Sequence, residues 1–413
     1  MNILMVNWSW YPSGGDWSYI ESVCNLYESM GHKIVPFSVM NEKNFNTPFS
    51  KYFIKNINYK KFYKNFSYTS AFQTFGKSIY SVEAKKKLRL LLSENKIDIA
   101  QLNNISSYQT PSIIPVLKKA NIPIVWRILD YRLICPNSTF LSNGKICEAC
   151  HKHKYYNAIS QKCKKGSIFA STLFAIESSI YYLLRYYDQV DLFLFQSEFS
   201  RDMFVKFGYD KKRTHIIENS YEYSNIQPKY NGDNYILYFG RLSKEKGILT
   251  LLNTMKMLPD IKLIIVGDGP DYESYKNYTN ENSLDNVTFT GPKWGEDLDP
   301  IIKNCEFVVV PSEWYEPSPY VALQAFANGK PIVASNIGGL KDLILDNKNG
   351  MFFEAGNSVD FSVKIRTLFE DKKSIERMGI NAREILEIKN NSNRYYADTM
   401  RVFTNLINKR KIL

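Results

Sequence analysis

Short apolar runs recur along this chain, separated by stretches with helical spacing, and the alternation happens twice. In the first half the runs are residues 2–6, 33–39, 97–102, 122–128, 191–196 and 214–217. In the second they are residues 235–239, 261–266, 287–290, 307–310 and 332–335. Runs that stay apolar, without the polar alternation of a half-exposed sheet, suit strands covered on both faces. Strand and helix in turn give an α/β class with parallel strands. Two such sets predict two consecutive open sheets, each binding at the carboxyl ends of its strands. A chain of 413 residues is also too long for one ordinary core. The segment NIQPKYNGDN, residues 225–234, is polar and carries Pro and Gly, so it is the best linker candidate. The expected domains are therefore 1–225 and 226–390, with a last amphipathic helix over 392–410 inside a C-terminal segment 391–413.

The stretch EPSPYVALQAFANGKPIVASNIGG, residues 316–339, shows what one such unit offers a ligand. Pro317 and Pro319 suit the first turn of a helix, which has no use for their missing N–H groups. Val321, Ala322, Leu323, Ala325 and Phe326 supply an apolar face, and Asn328-Gly329 a stop. Gly338-Gly339 lets backbone approach a ligand closely. A helix N-terminus at the carboxyl end of a parallel strand is an anion site, because free N–H groups and the helix dipole point at it. Glu316 stands just before this helix, and Gln324 stands where a second carboxylate would share its site. Taken alone, the stretch reads first as an ordinary βαβ unit.

Three glycine loops add to it. Gly14 and Gly15 follow the first strand and precede a helix starting near Asp16. YFGRLSKEKGI, residues 238–248, places Arg241 and Lys246 at the mouth of the second sheet, flanked by Gly240 and Gly247. A guanidinium fork and an ammonium opening onto a sheet's carboxyl edge suit a diphosphate. IIVGDGP, residues 264–270, ends the next strand with another close-approach loop at Gly267.

Aromatics at 15% and hydrophobic residues at 44% exclude a disordered chain. The first strand begins almost at residue 1, so no signal peptide is read, and a cytoplasmic location is the default expectation. Residues 168–184 are the most membrane-like stretch, but Glu177 interrupts them and they are too short to span. Charge is uneven. Residues 1–225 carry 29 Lys and Arg against 17 Asp and Glu, and residues 226–413 carry 24 of each, so the first half holds the whole excess of +12. Residues 51–89 hold ten basic residues and one acid, Glu83, interleaved with Tyr52, Phe53, Tyr59, Phe62, Tyr63, Phe66, Phe72 and Phe75. That pattern suits an anionic membrane surface, worth about 1 kcal/mol per cation near it. A single-stranded nucleic acid is the rival partner, and a solvated face with a few core aromatics is the plain alternative.

Cys135, Cys147, Cys150 and Cys163 form C-x11-C-x2-C-x12-C, with His151 and His153 nearby, in a polar and basic insertion over about 135–165. This spacing suits a structural zinc held by four thiolates, and equally four reduced thiols. Cys24 and Cys305 lie in apolar runs and read as buried core residues.

The pieces GRLSKEKG, VGDGP, FTG at 289–291, PSEWYEPSPYVALQAFANGKPIVAS and GGLKD, in this order, resemble the donor domain of the family 4 glycosyltransferases. These are retaining enzymes of the two-Rossmann-domain (GT-B) fold. The first half is more loosely similar to the acceptor domain of the branch that builds capsular and other surface polysaccharides, through Gly14-Gly15, DYRLICPN at 130–137 and the cysteine cluster. The resemblance implies two Rossmann-like domains facing across a cleft, with the C-terminal helix crossing back to the first. It implies that Arg241 and Lys246 neutralise the diphosphate of a nucleotide sugar as its glycosidic bond breaks, with no catalytic metal. The segment Ser318, Pro319, Tyr320, Val321 would offer amides to the same phosphates. Glu316 would contact hydroxyls of the transferred sugar, and position 324 those of the ribose. Gly15 would approach the diphosphate from the first domain, and Gly291, Pro292 and Lys293 would border the base. This chain departs from the pattern at Gln324 and Asp342, where the family usually has Glu. It departs again at Leu129, where a His usually precedes Asp130, and at Asn103, where His is frequent. Asp130 is then the nearest titratable group to the acceptor. The implied function is sugar transfer to a hydroxyl of a lipid-linked or oligosaccharide acceptor, at the inner face of the membrane. A catalytically impaired homologue that only binds is the alternative, and nucleic acid is not the expected partner.

Overall fold

A computed structural model of the chain describes residues 1–56, 76 and 79–412. Most of the basic, aromatic stretch read above as a membrane surface, including Tyr59, Lys60, Lys61, Phe62, Tyr63, Lys64, Phe66, Phe72 and Phe75, lies outside the described residues. The chain forms two compact units. The first comprises residues 1–196, 201–217 and 396–413, and the second residues 197–200 and 218–395.

In the first unit, β1 (Asn2–Val6), β2 (Lys33–Phe37), β3 (Ile99–Leu102) and β4 (Ile124–Arg127) are followed by a small hairpin, β5 (Leu141–Ser142) and β6 (Lys145–Ile146), then β7 (Leu192–Phe195) and β8 (Thr214–Ile216). The six longer strands make one sheet in the order β2-β1-β3-β4-β7-β8, all parallel. Strand order reverses between β1 and β3, so the loops after these two strands open onto the point where such sheets bind ligands. Residues 396–413 group with this unit, as expected of the C-terminal helix: Tyr396 Oη meets His32 Nε2 at 2.8 Å, and Arg410 Nη2 meets Asp191 Oδ1 at 2.7 Å.

The second unit holds β9 (Tyr235–Phe239), β10 (Lys262–Val266), β11 (Val287–Gly291), β12 (Val308–Val310), β13 (Ile332–Ser335) and β14 (Gly350–Phe353). They form a parallel sheet in the order β11-β10-β9-β12-β13-β14, which reverses between β9 and β12. Alternate residues of β9 feed two cores, Ile236 and Tyr238 on one face, Leu237 and Phe239 on the other. This two-sided burial is the reason these strands read as unbroken apolar runs.

Three local expectations change. The segment 225–234 belongs to the second unit, because polar and ring contacts bind it there. Arg383 Nη1 donates to Ile226 O at 3.0 Å and to Ala327 O at 2.6 Å, and Lys229 N to Asn328 O at 3.1 Å. The helix after Glu316 runs Tyr320–Ala327, so Pro317 and Pro319 precede it, with Pro319 extended at the N-cap (φ −72°, ψ 127°). The strand β14 had no counterpart among the sequence runs.

Candidate functional site

In the second unit the loops after β9 and β12 meet at the point of strand-order reversal. The loop after β9 carries Arg241, exposed, and a single 3-10 turn, Lys244–Lys246, that brings Lys246 back over the sheet edge. The loop after β12 turns sharply through residues 312–316. Lys246 Nζ lies 2.6 Å from Glu316 Oε1, and Ser312 Oγ donates to the same oxygen at 2.6 Å. Glu316 is 3% exposed, so its carboxylate is held by a cation and a hydroxyl rather than by water. Lys246 Nζ also stands 5.2 Å from the Trp314 ring. Beneath them Tyr238 donates to Arg241 O at 2.8 Å, and burial, then the Glu316 charge, pushes its phenol well above the ordinary range.

The turn keeps its shape because two glycines pass under it. A Cβ on Gly338 would stand 2.7 Å from Glu316 N, and one on Gly339 2.1 Å from Pro317 O. Gly339 N donates to Glu316 O at 2.6 Å. These glycines therefore admit the chain's own backbone, where the sequence suggested a ligand. Gly267 is similar: its Cβ would meet Gly240 O at 1.9 Å, so it seats one loop against the other. Gly291 has open space on its Cβ side, as Gly14 and Gly15 have in the first unit.

At the N-terminus of helix Tyr320–Ala327 no side chain caps the free amides. Ser318 is buried, and its Oγ has no hydrogen-bond partner among the described residues. An uncapped helix start beside a buried hydroxyl and Lys246 is arranged to accept an anion. Burial raises the Tyr221 phenol and the Gln324 side chain draws it down, and Tyr320 Oη donates to Ser220 O at 2.8 Å. Asp342 accepts the amide of Phe199 at 2.9 Å and so has a structural task within this unit.

Asp130 lies in the first unit, after β4. Its Oδ1 accepts Arg132 N at 2.9 Å, and desolvation raises its carboxyl against the pull of Arg132. Arg132 in turn forms a buried pair with Glu177 (Nη2 to Oε2, 2.6 Å) on helix Ile168–Leu183. Phe174 lies against both Arg132 Cζ, at 4.0 Å, and Lys164 Nζ, at 4.5 Å. Burial, then Arg132, lowers Lys164 to about 8. Asn103 is closed into the core, its Nδ2 3.1 Å from Val6 O. At the carboxyl ends of β1 and β3, Trp8 stacks on Tyr108 with centroids 5.9 Å apart and meets Tyr11 edge-on at 6.1 Å.

Cys135, Cys147, Cys150 and Cys163 line one small cavity with Phe140 and Ala158, and all four are free thiols. Among the described residues no group of three or more His, Cys, Asp or Glu side chains is arranged to hold a metal ion. Cys147 Sγ turns to Gln161 Oε1 at 3.1 Å, His151 Nε2 meets Lys206 O at 2.8 Å, and His153 stacks on Tyr182 at 3.7 Å. Cys24 and Cys305 are buried, as expected.

The geometry of the second unit falls within a segment that matches a family model. Residues 219–385 match the glycosyl transferases group 1. An uncharacterized glycosyltransferase of Methanocaldococcus jannaschii is 31% identical over 176 residues, which are 42% of this chain and 49% of that one. The chain thus spans about half the length of this relative. Among solved structures, sucrose-phosphate synthase from Thermosynechococcus elongatus superposes with a TM-score of 0.73 at 17% identity, over 99% of each chain. Anabaena HepE in complex with UDP and glucose gives 0.67 at 16%, over 98% of this chain and 100% of that one. The fold is that of the two-Rossmann (GT-B) glycosyltransferases.

The group 1 segment contains Arg241, Lys246, Glu316, Ser318 and Gln324, and Lys246, Glu316 and the helix start are brought together. Ser312, Tyr238 and Trp314 were missed. Ser312 and Trp314 sit inside PSEWYE, and their proximity to Glu316 in sequence was the available signal. Tyr238 looked like one more strand residue.

Proposed function

We propose that this protein is a retaining glycosyltransferase that moves a sugar from a nucleoside-diphosphate donor to a hydroxyl of a lipid-linked or oligosaccharide acceptor in surface polysaccharide synthesis. The observation that carries the reading is the Lys246–Glu316–Ser312 cluster beside the uncapped helix start at Tyr320, at the switch point of a sheet that matches group 1 glycosyl transferases. In this reading Arg241, Lys246 and the amides near Ser318 take the two phosphates. Their positive charge and dipole are fixed before the glycosidic bond breaks, so they stabilise the leaving diphosphate without reorganisation and without a divalent metal. Glu316, held on one oxygen by Lys246 and Ser312, keeps its second oxygen for a hydroxyl of the transferred sugar. Gly291 to Lys293 border the base, and Gln324 with Tyr221 stands toward the ribose. The acceptor belongs to the first unit, with Asp130 as the nearest carboxyl and the Trp8–Tyr108 stack as an aromatic surface for a saccharide. The strongly basic first half is the reason to place the enzyme at an anionic membrane face.

Calorimetry with UDP, GDP, ADP and dTDP tests the donor side. One of them should bind wild-type protein, and Arg241→Ala should weaken it about tenfold or more, as expected for losing one charge-assisted contact. Turnover of the matching sugar donor should fall by about 100-fold in the same variant. If none of the four binds, or Arg241→Ala binds and turns over normally, the assignment is wrong.

A further inference from the structure

Helix Ile168–Leu183 is polar inside and apolar outside. At 3.6 residues per turn, Ile168, Phe169, Leu173, Ile176, Ile180 and Leu183 fall in one arc of roughly 140°, with Thr172 and Ser179 as the two polar residues among them. Ile168 is 55% exposed, Phe169 41%, Ile176 40% and Leu183 73%, while Leu173 and Ile180 are half-buried. The opposite arc, which packs on the unit, carries Ser171, Glu177, Ser178 and Tyr181 with two alanines and Phe174, which lies against Arg132 and Lys164. A surface helix of a water-soluble domain has the reverse polarity. Leu184, 51% exposed, prolongs the outer ridge. Lys162 and Lys165 precede the helix and Arg185 follows it, all exposed, with Arg185 paired to the exposed Asp188 at 2.5 Å. Among the described residues no helix is long and apolar enough to cross a membrane.

We propose that this ridge lies in the surface of an anionic lipid bilayer, with its apolar side chains below the headgroups and the flanking cations among them. This deepens the membrane-facing reading given above and rests on it. A helix about 24 Å long with cations at both ends can lie flat in the interface and let long basic side chains reach the phosphates. Charge decides between a bilayer and a second copy: residues 1–225 carry the chain's whole excess of +12, so two such faces repel one another while anionic lipid attracts both. The inner face explains why the enzyme would use this helix. Glu177 on it pairs with Arg132 at 2.6 Å, and Arg132 N caps Asp130. A bilayer against the outer face therefore lies one helix thickness from the acceptor-side carboxyl, within reach of a sugar carried on a lipid.

The test is sedimentation of the full chain with vesicles of equal parts phosphatidylcholine and phosphatidylglycerol, and with phosphatidylcholine alone. Wild type should bind the anionic vesicles. Ile176→Asp/Leu183→Asp should bind them about tenfold or more weakly, because two apolar groups are replaced by charges at the interface. Leu183→Ser/Leu184→Ser, a milder change at exposed positions, should fall between them. Melting temperature and nucleotide binding should stay as in wild type. If the ridge variants bind as well as wild type, this inference fails and the membrane reading stands; if wild type binds neither vesicle, both fail. A wild-type dimer in light scattering that the Asp variant converts to monomer would assign the ridge to a second copy, and would equally overturn the proposal.

Discussion

Replacing Lys246 by Met should destabilise the second unit, and replacing Glu316 by Gln as well should restore it. The Glu316 side chain is 4% exposed and that of Lys246 23%, so the two partners do not lose equally when separated. Without Lys246 the carboxylate stays buried, with the Ser312 hydroxyl as its remaining donor among those found on it. Breaking a fully buried pair costs about 3–5 kcal/mol. Lys246 borders solvent, so water can replace part of its contribution, and about 2 kcal/mol is the better figure. One kcal/mol shifts the midpoint of a 150–250-residue domain by about 2–4 °C, so the second unit should melt about 4–8 °C lower. Glu316→Gln leaves Lys246 free to turn to water and should cost less than about 1 kcal/mol. In the double variant a neutral amide can keep the Ser312 hydrogen bond, so its loss should resemble that of Glu316→Gln alone. The resulting coupling is about 1–2 kcal/mol. Scanning calorimetry of the four proteins without nucleotide measures it directly. Equal losses in the two single variants, summing in the double, would mean the pair is not a buried couple.

Two further outcomes follow from burial. Cys147 and Cys163 are half-buried and the other four cysteines buried, so a thiol reagent should label two sites per chain quickly in native protein; Cys150, which burial and the neighbouring thiols raise to about 12, should react only on unfolding. Resistance of all four insertion thiols until a chelator is added would show that they hold a metal. Lys330 is buried, donates to Asn231 O at 2.9 Å, and burial lowers it to about 8. Its unfolded value is about 10.4, so the unfolded chain binds the extra proton between these limits and stability from this group is lost as pH falls through 8. The melting temperature of wild type relative to Lys330→Met should therefore rise from pH 8 to pH 10, and a flat difference would mean that Lys330 titrates normally.

The fold was legible because both sheets are covered on both faces. Every strand of the two sheets but β14 announces itself as an apolar run, and the other errors sit at the ends, where 33–39 shortens to Lys33–Phe37 and 122–128 to Ile124–Arg127. β14 escaped because it is only GMFF, opening on a glycine that brings the strand against Ile332. The linker was misjudged because composition reports polarity and not partners: Arg383, far along the chain, holds the carbonyl of Ile226. The same limit governs the site. Arg241, Lys246 and Glu316 could be named from residue type and from their place after strands. That Ser312 and Lys246 share one oxygen of Glu316 depends on a turn whose geometry is set by Gly338 and Gly339, in a different segment.

Gln324 shows what a side-chain partner adds to a residue type. By analogy with Glu316 it is a missing carboxylate. In the folded unit burial raises the Tyr221 phenol and the Gln324 side chain draws it down, and Tyr221 meets Tyr320 ring to ring at 6.2 Å. A carboxylate could accept from that phenol and from a second hydroxyl as well, but it has no donor of its own when ionised. An amide accepts on one side and donates on the other, so one group can be spent on Tyr221 while the other stays available to a ligand hydroxyl. It also adds no negative charge near an uncapped helix start. The second acid is therefore replaced by a group that suits its neighbour and keeps negative charge away from the helix start, and the surrounding helix loses nothing by the exchange because Gln and Glu have nearly equal helix propensity.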